Sequence, residues 1–266
     1  MIPKIIHYCW LGPQPLPDSA KKNIESWRKY CPDYEIKRWT DSDIDIKSVK
    51  YMEECYEAKA WGFVPDVARL QIIYNEGGIY LDTDVELIKS LDPLLDNKAF
   101  MGFENSSIVN LGQGFGAEPH NKLIREFLEQ YKNIHFINRD GTKNLIASPQ
   151  IQTKCLKKLG LHKNGKMQTI GTATIYPADY FSGIDYYSGL STQTENTYAI
   201  HHFNGSWLPA EGKRMEKIRR RYFRKYGLKL GRVMWILKRV RIEKKKNGLR
   251  GVISKSYEGT KKLWKK

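Results

Sequence analysis

Apolar and polar residues follow two different spacings along the first 210 positions. β-branched and aromatic runs predict strands at 4–12, 34–40, 79–82, 99–105, 174–177 and 198–203. Apolar residues three or four positions apart predict helices at 18–31, 65–76, 121–133 and 148–160. Because strands and helices alternate along the chain, we expect an α/β fold with helices on both faces of a central sheet.

The helix predicted at 65–76 has clear start and stop signals. Pro65 stands at a favoured first helical position, and the pair Gly77-Gly78 ends the periodic segment. The strand predicted at 79–82 follows at once, and it ends in the acidic residues Asp82 and Asp84. One short connection therefore joins the helix to these two acids.

Positive charge is concentrated at the C-terminal end of the chain. The 266 residues carry a formal charge of +16. Residues 213–266 hold 22 Lys+Arg against 3 Asp+Glu, which leaves 23 against 26 for the rest. The composition therefore predicts two parts, a slightly acidic domain over 1–210 and a basic tail over 211–266.

Helical spacing of apolar residues predicts two basic amphipathic helices in the tail. They are separated by Gly227 and Gly231, and their apolar positions are Met215, Ile218, Tyr222 and Tyr226, then Val233, Ile236, Leu237 and Val240. Such helices lie in the interface of anionic membranes, which is the partner we expect for the tail. The alternative is that the apolar stripes pack on the rest of the chain or on another subunit.

Neither a secretion signal nor a spanning segment is evident in the sequence. No window approaches the roughly 18 apolar residues that cross a bilayer. The four cysteines show no metal-type spacing, which is typical of a reduced compartment. We expect a cytoplasmic protein, peripheral at the inner face of the cell membrane.

Two carboxylates, Asp82 and Asp84, stand two residues apart at the end of the strand at 79–82. In extended backbone, side chains at this spacing point the same way, so both can bind one hard cation. Oxygen ligands favour Mg²⁺ or Mn²⁺ over zinc. The alternative is an acidic turn that is simply solvated.

Asp66 and Arg69 are three residues apart and share one face of the helix at 65–76. They could aim into the same cleft as the two aspartates. The alternative is an exposed ion pair on the helix surface, worth a few tenths of a kcal/mol.

The segment PDVARLQIIYNEGGIYLDTDVEL, at 65–87, resembles the D-x-D sugar-nucleotide segment of a glycosyltransferase family. That family includes bacterial capsule and polysaccharide transferases and yeast initiating mannosyltransferases, and it is distantly similar to the glucosylating domain of the clostridial toxins. The opening IPKIIHYCWLG and the later AIHHFNGSW extend the resemblance over about residues 1–207. It implies a GT-A-like single domain with a mixed, Rossmann-like central sheet, and leaves the basic α-helical C-terminal appendage outside the match.

The resemblance implies roles for single residues. It assigns donor binding to Cys9, Trp10, Asp66, Arg69, Tyr80, Asp82, Ser206 and Trp207, with the Trp10 ring stacked on the base. The alternative for Trp10 is an aromatic side chain of the core. The catalytic set is Asp66, Arg69, Asp82 and Asp84. The metal ligands are Asp82, Asp84 and His202, holding Mn²⁺ or Mg²⁺.

The choice of His202 rests on strand geometry together with the resemblance. His201 and His202 are neighbours on a predicted strand, so they face opposite sides and at most one of them reaches the metal. We assign the metal to His202 and expect His201 to pack behind the strand.

Two further segments are of interest. The Gly-rich segment at 110–121 lacks a P-loop pattern and is expected to form an acceptor-side loop near Gln113, and Ser148 replaces a family Gly before Pro149.

The activity implied is metal-dependent, retaining transfer of a sugar from a nucleotide-sugar donor to a glycan acceptor. Uridine-linked hexose or N-acetylhexosamine is the favoured donor, ahead of guanosine-linked mannose. A lipid-linked acceptor in capsular or surface polysaccharide synthesis is expected.

Two other functions compete with this one. A metal-dependent phosphohydrolase using Asp82, Asp84 and His202 would need ligands for a second cation. A nucleic-acid-binding protein is supported only by charge, because no zinc finger, basic zipper or RNA-binding motif is found, and we expect no nucleic-acid partner.

Overall fold

The computed structural model describes residues 1–205 and 208–263. The chain divides into two compact units, one formed by Met1–Tyr186 with Ser191–Trp207 and the other by Tyr187–Leu190 with Leu208–Lys266. The two units are described in turn.

The first unit is built around a mixed sheet. Its strands are β1 (Ile5–Cys9), β2 (Glu35–Trp39), β3 (Gly78–Tyr80), β4 (Val85–Leu87), β5 (Ala99–Asn105), β6 (Ile108–Asn110), β7 (Phe115–Ala117), β8 (Gln168–Ile170), β9 (Ala173–Tyr176) and β10 (Ala199–His201). The main sheet has the order β2-β1-β3-β7-β5-β9-β8, with β6 paired to β5. Strand β1 is parallel to β2 and β3, and β5 is parallel to β9, whereas the other pairs are antiparallel. The predicted mixed α/β class is confirmed.

Helices cover both faces of this sheet. They are α1 (Asp18–Tyr30), α2 (Lys50–Glu57), α3 (Pro65–Glu76), α4 (Lys122–Tyr131) and α5 (Ser148–Lys158), with short 3-10 helices at Ile46–Ser48, Asp92–Leu94 and Ala178–Tyr180. Ile79 and Phe100 belong to the apolar cluster that includes α1, whereas their strand neighbours Tyr80 and Met101 belong to the cluster that includes α2 to α5. Because neighbouring residues of a strand point to opposite faces, the two clusters lie on opposite sides of the sheet.

The junction between α3 and β3 is as the sequence predicts. Pro65 is the first residue of α3, and Gly77 and Gly78 follow its end with φ of +70° and +89°. A Cβ on Gly78 would lie 2.8 Å from the Ile5 carbonyl oxygen and 2.9 Å from His7 Nε2. Glycine is therefore required at position 78 both by its conformation and by its neighbours.

A second, two-stranded sheet joins β4 to β10. The pairing is antiparallel, with His201 opposite Val85 and Ala199 opposite Leu87. It brings the histidine segment beside the acids that precede β4. Because β3 ends in the main sheet and β4 begins in the small one, Asp82 and Asp84 lie in the connection between the two sheets.

The second unit contains the basic tail, whose helical segment is α6 (Ala210–Leu263). Gly227 has a φ of +71°, and a Cβ on Gly231 would lie 2.8 Å from Phe223 Cα. Lys246 Nζ donates to Glu211 Oε1 at 3.1 Å, although 35 residues of straight helix would span about 52 Å. The tail is a helical hairpin, in agreement with the two helices predicted.

The hairpin has two arms, before and after Gly227, and it carries both buried and exposed apolar side chains. Phe223 in the first arm and Trp235 in the second are buried, and the Phe223 ring contacts Tyr187 at a centroid distance of 5.5 Å. The exposed apolar side chains of the second arm include Leu230, Val233, Ile236, Leu237 and Val240. Within the described part of the chain, no helix has the length and apolar character needed to cross a bilayer.

Candidate active site

The turn that carries Asp82 and Asp84 is the centre of the candidate site. The Val85 amide donates to the Asp82 carbonyl at 3.0 Å, so residues 82–85 form a tight turn. The two acids therefore converge through a turn and not through the extended backbone that the sequence suggested. The Asp82 side chain keeps 31% exposure and the Asp84 side chain 17%, so both carboxylates are partly accessible to solvent.

The structure reverses the predicted placement of the two histidines. His201 Nε2 lies 3.2 Å from Asp84 Oδ1, and its side chain is only 7% exposed. His202 points to the other side of the strand, where its Nε2 lies 3.0 Å from Glu86 Oε2. The prediction that neighbouring residues diverge was correct, but the prediction that His202 reaches the aspartates was wrong. The face was decided by the pairing of β10 with β4, which the sequence does not specify.

Among the described residues, one group of carboxylate and imidazole side chains is arranged as a cation site. Asp82, Asp84 and His201 each offer a ligand atom within 4.8 Å of the others. His201 Nδ1 is buried without a hydrogen-bond partner, and the Asn204 amide donates to Asp84 Oδ2 at 2.8 Å. Two carboxylates and one imidazole suit Mn²⁺ or Mg²⁺, and the exposed part of Asp82 leaves room for further oxygen ligands. The residues fit the metal that the resemblance implies.

The electrostatics of the group favour a bound cation. Burial raises the pKa of Asp82 to about 6 against the attraction of Arg69, and repulsion from Asp84 contributes to the rise. Burial would also raise the pKa of Asp84, but attraction to His201 and hydrogen bonds from His201 and Asn204 lower it to about 2. The pKa values of these neighbouring carboxylates shift in opposite directions, and their two adjacent negative charges repel each other. A divalent cation bound to both would neutralise that charge.

Asp66 and Arg69 form a buried pair beside this turn. The Arg69 guanidinium hydrogen-bonds to Asp66 Oδ1, and its Nη1 lies 3.5 Å from Asp82 Oδ2. Burial raises the pKa of Asp66 despite the attraction of Arg69 and a hydrogen bond with Ser148. Both side chains are under 10% exposed, so the alternative of a surface ion pair is excluded.

Ser148 is the third member of this buried group. Its hydroxyl oxygen accepts from Arg69 Nη2 at 2.6 Å, and it is the first residue of α5. The sequence marked this position only as a replacement for a family glycine. Its side-chain contact with the pair could not be read from the sequence, because 79 residues separate it from Arg69.

The other residues assigned to the donor have different surroundings. Cys9 is buried, and burial raises the pKa of its thiol to about 12 against a hydrogen bond with Tyr80. The Tyr80 ring is also buried and lies 5.9 Å from the Arg69 guanidinium carbon. Trp10 is half-buried, and its Nε1 donates to the Gln14 carbonyl at 2.7 Å. The predicted positions Ser206 and Trp207 lie outside the described residues.

The Gly-rich segment contributes a backbone contact that the sequence did not indicate. The Asp82 amide donates to the Gly112 carbonyl at 3.0 Å, and a Cβ on Gly112 would lie 2.2 Å from Asp82 Oδ2. Gln113 is fully buried and bonds to the Phe103 carbonyl and the Ser182 hydroxyl. The Gln113 side chain is therefore enclosed in the core, whereas the backbone of its neighbour Gly112 borders the D-x-D turn. The acceptor-side role expected for this loop stays a prediction.

The segment that carries the two aspartates is similar to a known protein family. Residues 17–101 match the family model described as the glycosyltransferase sugar-binding region containing the DXD motif. The chain carries a glycosyltransferase DXD region. This region includes α1, α3 and the turn with both aspartates.

Two curated relatives come from the fission yeast Schizosaccharomyces pombe. Inositol phosphoceramide mannosyltransferase 1 is 28% identical over 165 residues, covering 56% of this chain and 47% of the relative. Inositol phosphoceramide mannosyltransferase 3 is 34% identical over 129 residues, covering 47% and 36%. The chain thus spans less than half the length of these two relatives. Among solved structures, the PaToxG glycosyltransferase is similar with a TM-score of 0.48 and 19% identity, over 59% of this chain and 69% of that one.

Proposed function

We propose that the protein is a metal-dependent glycosyltransferase that moves a sugar from a nucleotide-sugar donor to an acceptor hydroxyl. The observation that carries this proposal is the convergence of Asp82, Asp84 and His201 next to the buried Asp66–Arg69 pair, all but the histidine within the DXD region. A bound Mn²⁺ or Mg²⁺ would neutralise the diphosphate that leaves.

The residues of this chain then have separate tasks. Asp82, Asp84 and His201 hold the cation, with His201 taking the place first given to His202. Asp66 and Arg69 hold the hydroxyls of the donor sugar, since a carboxylate and a guanidinium accept and donate in fixed directions. Trp10 and Cys9 lie at the carboxyl end of β1, where the base is expected, and Ser206 and Trp207 remain assigned to the diphosphate. We propose retention of configuration, with the leaving phosphate assisting the acceptor.

The donor and acceptor are proposed by class. A uridine-linked hexose or N-acetylhexosamine remains the favoured donor, and guanosine-linked mannose is the second candidate because two relatives are named mannosyltransferases. Those relatives are named for a ceramide lipid, which supports a lipid-linked acceptor. That this acceptor serves capsular or surface polysaccharide synthesis is part of the proposal.

The composition of the basic hairpin supports binding to a membrane surface. Leu230, Val233, Ile236, Leu237 and Val240 fall within about 120° of arc on the second arm, at 100° per residue. An exposed apolar stripe on a strongly basic helix suits the interface of an anionic membrane. We propose that the tail brings the DXD region, as a separate domain, to a lipid-linked acceptor on the cytoplasmic face.

The first test is nucleotide release from a donor panel. Full-length protein is incubated with Mn²⁺ and UDP-glucose, UDP-galactose, UDP-N-acetylglucosamine or GDP-mannose, and free nucleotide is measured. We expect release from one donor, its loss in excess chelator, and a loss of at least 100-fold in Asp84→Asn, because that change removes a charge from the cation.

Asp140→Asn is the matched control, because Asp140 lies in an exposed loop and its replacement removes the same charge away from the site. It should keep wild-type activity. Full activity of Asp84→Asn, or turnover in chelator, contradicts the proposal. Hydrolysis of a phosphomonoester without use of any sugar nucleotide would favour the phosphohydrolase instead.

A further inference from the structure

The edge of β4 that faces away from β10 is covered by side chains of α1. On the β10 side, the His202 amide donates to the Asp84 carbonyl and the Ile88 amide to the Tyr198 carbonyl, each at 2.9 Å. Residues 83, 85 and 87 therefore present their backbone groups to the opposite edge, since strand residues alternate in the direction of their backbone bonds.

Three side chains of α1 satisfy that second edge. Asn23 Nδ2 donates to the Thr83 carbonyl at 2.9 Å. Trp27 Nε1 donates to the Val85 carbonyl at 2.8 Å. The Leu87 amide donates to Ser26 Oγ at 2.9 Å. A helix thus takes the position of a neighbouring strand, using side chains three and four residues apart to meet alternate strand residues.

Asn23 is the member of this set that is closest to the chemistry. Its partner, Thr83, is the middle residue of the D-x-D sequence, and the Asn23 side chain is almost fully buried. Ser26 Oγ also donates to the Asn23 carbonyl at 2.5 Å, which ties the two residues together. With Asn23 bonded to the Thr83 carbonyl and the His202 amide bonded to the Asp84 carbonyl, the two peptide groups that flank Asp84 are both held.

We infer that Asn23, supported by Ser26, is a positioning residue that sets the Asp82–Asp84 turn in its cation-binding geometry. The inference rests on the proposed function and adds to it a part of the chain that touches neither cation nor donor. If the Thr83 carbonyl is released, the turn can rotate, and the two carboxylates no longer meet one ion. Groups that orient metal ligands typically change metal affinity or activity by about 10- to 100-fold.

The test measures Mn²⁺ binding directly, by the loss of the free Mn²⁺ signal in electron paramagnetic resonance, on full-length protein. Asn23→Leu keeps the number and branching of the side-chain heavy atoms and removes the donor. We expect its Mn²⁺ affinity to fall about tenfold or more. Ser26→Ala, a milder change, should weaken Mn²⁺ binding by a smaller factor.

The control is Thr174→Val on β9, which removes the hydrogen bond from Thr174 Oγ1 to Asn97 Oδ1 of 2.6 Å, outside the D-x-D turn. Thermal unfolding of every variant identifies those that are folded. A second readout is nucleotide release as Mn²⁺ is varied. Asn23→Leu should raise the Mn²⁺ concentration for half-maximal rate while saturating Mn²⁺ restores most of kcat, and Thr174→Val should change neither.

The outcomes separate the two proposals. Wild-type Mn²⁺ affinity in folded Asn23→Leu and Ser26→Ala overturns the positioning role and leaves the transferase proposal standing. An equal loss of affinity in Thr174→Val also overturns it, because the effect is then one of general stability. If the wild-type protein binds no Mn²⁺, the proposed cation site fails, and the positioning role fails with it.

Discussion

Arg69 contacts polar side chains from three separate segments of the chain. Its guanidinium meets Asp66 on the same helix, Ser148 at the start of α5 and Asp82 in the D-x-D turn. A guanidinium spreads its five donors over a planar fork, so Nη1 and Nη2 meet different partners, whereas the three donors of a lysine ammonium all lie on one nitrogen. The contact with Asp82 also places Arg69 beside the proposed cation ligands.

Replacing Arg69 with Lys should therefore lower kcat/KM for the donor by at least tenfold, measured by nucleotide release at saturating Mn²⁺. Arg28→Lys is the matched control, because Arg28 makes an exposed pair with Glu25 at 2.7 Å and such pairs contribute little. Wild-type kinetics in Arg69→Lys would remove this residue from the donor site.

At the scale of the elements, His7 joins β1 to β2 and to the end of α3. Its Nδ1 accepts from Trp39 Nε1 at 3.1 Å, and its Nε2 lies 3.0 Å from the Gly77 carbonyl oxygen. The neutral ring with its proton on Nε2 satisfies both contacts, whereas a second proton on Nδ1 would break the bond to Trp39. Burial lowers the pKa of His7 to about 4, against the attraction of Glu76.

The pH dependence of stability follows from this shift. An unfolded histidine titrates near 6.5, so between pH about 6.5 and 4 the unfolded chain binds more protons at this position than the folded one. The contribution of His7 is complete above pH about 6.5 and falls with pH, by up to about 1.4 kcal/mol per unit, until pH about 4. We expect the free energy of unfolding in urea to drop between pH 7 and 5, and the drop to shrink in His7→Gln. His162→Gln, at an exposed position, should retain the full drop; an unchanged drop in His7→Gln would show that other groups cause it.

At the scale of the whole molecule, the uneven distribution of charge predicts where the protein binds. The basic hairpin should carry full-length protein onto anionic vesicles at low salt, with each Lys or Arg near the surface adding about 1 kcal/mol. Replacing Ile236 and Val240 by Ser should reduce sedimentation with vesicles, because both are more than 40% exposed on the apolar stripe.

Leu228→Ser is the matched control, since Leu228 is 59% exposed but lies about 80° of helical rotation outside Ile236, the nearest residue of the stripe. It should sediment like the wild type. Protein that stays in solution with anionic vesicles contradicts membrane binding. A change in oligomeric state in Ile236→Ser with no change in sedimentation would assign the stripe to a second copy of the chain.

Much of this molecule was determined by local sequence. Pro65 and the pair Gly77-Gly78 set the limits of α3 because proline fits the first helical turn and glycine accepts a positive φ. Gly227 likewise allowed the tail to be read as two helices. The spacing of Asp82 and Asp84 indicated a cation site, because two acids so near in sequence cannot be far apart in space.

Contacts between distant segments were decided by the tertiary structure alone. Sequence alternation shows that His201 and His202 diverge, but only the pairing of β10 with β4 selects the face that meets Asp84. Asn23 and Ser148 each reach the site from about 60 to 80 residues away, with side chains that have no distinctive local pattern. The physical reason is that periodicity specifies direction relative to a local axis, whereas a binding site depends on how those axes are packed together.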